Sequence, residues 1–137
     1  MNDVTASSKD SVLGTALVPH QYPTANGTGT EFSIDPAKAR DAFAADLTDA
    51  QASVIGVVQR PVADLAFGEP NGVPAWRTLP SWAVVATGDR AAGTDVVRAH
   101  AQRAGATITE VDGSHVIMIS MPDAVTEVIQ AAIAKLA

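Results

Sequence analysis

Few residues in this sequence can move a proton or attack a carbonyl. It has three histidines and no cysteine, so a thiolate nucleophile, thiolate zinc ligation and disulfide staples are excluded together. His115 closes the turn in "EVDGSH" and opens the apolar run "VIMIS", and Asp89 closes the turn that ends "AVVATGD". A carboxylate against the Nδ1 side of an imidazole fixes its tautomer and stabilises the imidazolium, which leaves Nε2 as a general base. Asp89 and His115 are therefore the candidate catalytic residues, as orienting acid and base. Each also has a plainer reading, because an Asp after a strand often caps the next turn and a His beside apolar residues is often a packing partner.

The other polar residues carry less chemistry. Ser114 adjoins His115 on a turn and lacks the sharp elbow of a nucleophile, and Asp112 is placed to accept backbone N–H bonds within "VDGSH". His20 sits in "VPHQYP" with no second ligand at metal-binding spacing, and His100 falls on the apolar side of a helix. The Gly-x-Gly of "NGTGTE" has no strand before it and no helix after it, so it reads as a flexible turn and not a phosphate cradle. Trp76 and Trp82 flank "RTLP", where they pack a core or line a pocket. Met118 and Met121 are expected to fill space under the final helix. No cofactor or metal is called for.

Positioning Asp89 and His115 requires a particular order of elements. "SWAVVATGD" is a continuous apolar run, the pattern of a strand buried on both faces. "TDVVRAHAQRAG" follows as an amphipathic helix with Gly105 at its C-terminal cap. "ATITEVD" is a second strand, and in "PDAVTEVIQAAIAKLA" Val125, Val128, Ile129, Ala132, Ile133 and Leu136 share one helical face. Strand, helix, strand, helix implies a parallel βαβα unit whose two strands end on one edge of the sheet, where open α/β sheets keep their ligands.

Before this unit, Asp35 and Pro36 open a helix expected over about 36 to 46. Thr48 and Gln51 have capping-box spacing for a second helix that Pro61 ends. A short helical piece follows before Gly and Pro break up the chain. The first 30 or so residues, rich in Ser, Thr, Gly and Asn, are expected to be irregular. The chain thus divides into an irregular segment (1–30), a helical segment (31–75) and a βαβα unit (76–137).

The totals agree with one domain of α/β class. The chain has 137 residues, 47% apolar but only 4% aromatic, so its core is built from Ala, Val, Ile and Leu. A net charge of -6 leaves no basic stripe for phosphates, so nucleic acid is not an expected partner. No apolar run approaches the roughly 18 residues of a membrane span, and "MNDVTASSKD" has no secretory pattern. The expectation is a soluble, cytoplasmic protein.

The stretches "PSWAVVATGDRA" and "AQRAGATITEVDGSHVIMISMPDAVTEVI" resemble the carboxyl-terminal part of α/β-hydrolase fold enzymes, nearest to the small esterase branch with methylesterases and hydroxynitrile lyases. The resemblance implies that Asp89 is the acid and His115 the base of a catalytic triad. It also implies that "AADLTDAQASVIGVVQRPVADLAFGEPNGVPAWRTLPSW" forms lid helices and a return loop, so the expected fold is a partial α/β-hydrolase. A small ester-like molecule is the implied substrate. The family's nucleophile sits in a Gly-x-Ser-x-Gly elbow, and this sequence contains none. Two further expectations follow: inactivity alone, and an open apolar edge on the strand at 82–86 that invites self-association or a complementary chain. A non-enzymatic binding module and a truncated gene product are the alternatives.

Overall fold

The computed structural model describes residues 8–136. Its architecture is α/β, with two small sheets. The carboxyl-terminal one is the expected parallel unit: β4 (Trp82–Ala86), α4 (Thr94–Arg103), β5 (Thr107–Val111), a short α5 (Ile117–Ser120) and α6 (Pro122–Leu136). β4 and β5 run in register from Trp82 opposite Thr107 to Ala86 opposite Val111. Thr87 and Gly88 extend the pairing past the strand ends, donating to Val111 O and Gly113 O, each at 2.9 Å. The Asp89 and His115 turns therefore leave the same edge side by side. Gly105 follows α4 at φ +64°, the left-handed conformation that glycine adopts freely after a helix.

β4 is less buried than its apolar sequence implies. Val85 and Ala86 are buried, but Trp82, Ala83 and Val84 are only half-buried. A two-stranded sheet has no further strand to shield them, and β5 is the one strand hydrogen-bonded to β4 among the described residues. Met118 and Met121 also depart from expectation. They are exposed, one on the short α5 and the other at the step from α5 into α6.

The expected irregular segment, 1–30, is largely a strand hairpin over 17–34, and its residues 1–7 lie outside the described residues. β1 (Leu17–Thr24) and β2 (Gly27–Ile34) form an antiparallel hairpin from Leu17 opposite Ile34 to Thr24 opposite Gly27. The flexible-turn reading of "NGTGTE" fails for a physical reason: Ala25 and Asn26 turn the hairpin, Gly27 at φ +130° opens β2 opposite Thr24, and β-branched or apolar residues at 28, 30, 32 and 34 supply the alternation of a strand. Pro19 and Pro23 are tolerated because β1 is an edge strand. A two-residue β3 (Val62–Ala63) completes this sheet on the far side of β2.

Along the chain α1 (Ala39–Phe43) and α2 (Asp49–Val58) lie between β2 and β3, and a short α3 (Leu65–Gly68) follows β3. α1 is shorter than expected. Asp35 caps a turn at Ala37 instead (2.9 Å), and the chain leaves the helix at Ala44, which is fully buried. α2 starts as its capping box requires, with the Thr48 hydroxyl accepting from the Gln51 amide and the Gln51 side chain accepting from the Thr48 amide. The core cluster joins Ala44, Leu47 and Ala52 to Val116, with Phe43 and Ile55 packed against it. The helical segment therefore rests directly on the turn that carries His115.

Candidate functional site

His115 Nδ1 lies 2.9 Å from Asp89 Oδ2. An ionised carboxylate only accepts, so Nδ1 carries the proton and Nε2 is left with a lone pair. The other Asp89 oxygen accepts the amide N–H groups of Ala91 (2.9 Å) and Ala92 (3.0 Å). Burial opposes ionisation of Asp89, but the His115 hydrogen bond and charge, with those amides, outweigh it and hold its pKa below the ordinary carboxylate value. The Asp89 side chain is 6% exposed and that of His115 is 35% exposed. The acid is thus shielded and the base remains within reach of a reactant.

Three sets of contacts hold this pair. The acid loop closes on Thr94, whose hydroxyl donates to Ala86 O (2.8 Å) and accepts from the Asp89 amide (3.1 Å). Residues 8–12 brace the same loop. Ser11 Oγ donates to Ala91 O, the Val12 amide donates to Arg90 O, and Ser8 Oγ donates to Asp95 Oδ1 at the start of α4. No feature of "KDSV" announces that task, because it depends on backbone carbonyls far along the chain.

The third set comes from the helical segment. Asp46, in the α1–α2 connection, accepts both the amide (2.9 Å) and the hydroxyl of Ser114. Desolvation of Asp46 opposes its ionisation, and the Ser114 bonds outweigh it, so its pKa is lowered. Gly113 permits the approach, since a Cβ there would stand 2.8 Å from Asp46 Oδ2. The Phe43 ring packs on the His115 imidazole with centroids 4.6 Å apart. Sequence reasoning passed over Asp46 and Phe43. Neither has a motif, and their relevance arises only from where α1 ends.

The remaining candidates fall outside the pair. Ser114 is buried with its hydroxyl committed to Asp46, so it is a brace for the turn. Asp112 accepts from the Thr87 hydroxyl at 3.2 Å, tying the two turns together where backbone bonds within its own turn were expected. His20 Nε2 meets Ser33 Oγ at 2.8 Å within the hairpin. His100 is half-buried on α4. Trp76 is half-buried, with the guanidinium groups of Arg77 and Arg103 5.7 and 5.9 Å from its ring. No cluster of three or more His, Asp or Glu side chains placed to hold a metal ion occurs among the described residues. No described helix is long and apolar enough to cross a membrane.

The sequence model of the alpha/beta hydrolase family matches residues 6–128. The chain belongs to the alpha/beta hydrolase family. A comparison with the curated proteins finds no match. Membership gives the pair a context, because hydrolases of this fold place acid before histidine in the chain, each after a strand of a parallel sheet. Asp89 after β4 and His115 after β5 follow that order. The Gly-x-Ser-x-Gly elbow that precedes both in such enzymes does not occur in this sequence.

Proposed function

We propose that this chain carries the acid–base half of an ester-hydrolase site of the small esterase, methylesterase and hydroxynitrile lyase branch. Asp89 orients His115, and His115 Nε2 takes the proton of a nucleophilic hydroxyl that this sequence does not supply. The observation behind the reading is the 2.9 Å contact between Asp89 Oδ2 and His115 Nδ1, with Nε2 left free. Residues 31–75 then act as lid helices, and the matched stretch is the carboxyl-terminal portion of the hydrolase fold.

Alone, such a chain lacks the bond-forming group and the donors that stabilise a tetrahedral oxyanion, each donor worth about 3 kcal/mol. Ester turnover by the isolated chain is not expected. A nucleophile-bearing chain that pairs along the open edge of β4 would supply both and cover the half-exposed Trp82 to Val84 stretch. Self-association along that edge would cover it without completing the site.

The test uses p-nitrophenyl acetate and a fluorophosphonate label. The purified chain is expected to give neither turnover nor labelling. Mixed with an alpha/beta hydrolase fragment that bears the serine elbow, it is expected to gain turnover that H115A abolishes. Fluorophosphonate labelling of the chain by itself, with H115A-sensitive turnover, would overturn the reading by revealing a nucleophile within it.

A further inference from the structure

A cavity of about 270 Å³ lies between the β1–β2 hairpin and α1 and α2. Its walls are apolar, formed chiefly by Leu17, Phe32, Ile34, Phe43, Ile55 and Phe67. Phe32 and Phe67 meet edge to face, with centroids 6.2 Å apart. The cavity opens to solvent on one side, and its apolar walls favour an apolar guest. A dry void of about 150 Å³ holds a benzene ring, so this larger one has room for a tail of about eight carbons.

The polar side chains around it decide the other end of the guest. Ser33 Oγ is engaged with His20 Nε2. Gln59 is fully engaged as well, accepting from the Ile34 amide and donating to the carbonyls of Ile34 and Gly56. Arg60 borders the same cavity, is exposed, and has no ion-pair or hydrogen-bond partner among the described residues. A guanidinium presents a planar fork that matches a carboxylate, and its stem can lie along an apolar rim with the charge in water.

We infer that this cavity binds a small monocarboxylate, its apolar tail enclosed under the hairpin and its carboxylate against Arg60. The site needs no nucleophile, although Phe43, one of its walls, also packs on the His115 ring. The overall negative charge of the chain makes Arg60 the feature that selects an anionic head at this place.

Titration calorimetry on the full chain with octanoate, octan-1-ol and acetate tests the inference, at concentrations below micelle formation. Octanoate is expected to bind saturably at one site, octan-1-ol about tenfold more weakly for want of the charged contact, and acetate not at all. R60Q is expected to bring octanoate down to the affinity of the alcohol while leaving the alcohol unchanged. L17W, which fills the cavity, is expected to abolish both, with circular dichroism confirming that it folds; I55W serves if it does not. Amide shifts on octanoate binding are expected at Arg60 and Phe67. Absence of saturable octanoate binding, or binding indifferent to R60Q but lost in H115A, would overturn the inference. In that last case the anion would be sitting on the imidazole.

Discussion

Asp89 Oδ2 and His115 Nδ1 are 2.9 Å apart although 26 residues separate them in the chain. The intervening residues form a turn, α4 and β5, which return the chain to the edge that it left. Parallel pairing in register then puts the two turns next to each other, and the bonds from Thr87 and Gly88 across to the His115 turn hold them there. The pair is a product of strand pairing, and its chemistry follows from which imidazole nitrogen faces the acid.

That geometry fixes the tautomer of His115. Nitrogen NMR of the wild-type chain is expected to show that the neutral form of the His115 ring carries its proton on Nδ1 and none on Nε2. Removing the acceptor in D89A should allow the Nε2–H tautomer to grow. A wild-type imidazole already dominated by the Nε2–H form would contradict the contact.

Acid should weaken the fold through Asp89 and Asp46. Both carboxylates have lowered pKa values in the folded protein, so the unfolded chain binds protons at a higher pH than the native one. The stabilisation is present above the ordinary carboxylate pKa of about 4 and is lost as pH falls through the lower folded values. Denaturant midpoints measured from about pH 6 down to about pH 2 should fall steeply at the acid end. The fall should be shallower in D89N, which has no carboxylate to protonate at that position.

Asp46 fixes the His115 turn through Ser114. D46A strands a buried amide and hydroxyl and should cost about 1–3 kcal/mol, whereas S114A removes donor and demand together and should cost about 1 kcal/mol. D46N keeps one oxygen acceptor and should recover part of the loss. Chemical denaturation gives the energies. Broadened His115 ring resonances in D46A, restored in D46N, would separate a positioning role from a loss of general stability.

Much of this fold is legible from local pattern. The capping box at Thr48 and Gln51, the stop at Pro61, Gly105 behind α4, and the order β4–α4–β5–α6 all follow from short-range chemistry: which amides need partners, which residue tolerates positive φ, which face is apolar. The hairpin was legible too, in the alternation from Thr28 to Ile34, but abundant Ser, Thr and Gly masked it as irregular chain. Asp89 and His115 were legible as a pair because two similar turns end two similar strands.

By itself, then, the sequence determined the βαβα unit, the capped start of α2, the pairing of Asp89 with His115, and that no Gly-x-Ser-x-Gly occurs in it. Only the tertiary structure decided that residues 8–12 brace the acid loop, that Asp46 grips Ser114, that Phe43 packs on His115, and that an apolar cavity lies beneath the hairpin. The reason is one of range. Helix caps and strand alternation are settled by neighbours a few residues away, whereas these contacts join side chains and carbonyls that meet only when separate elements pack.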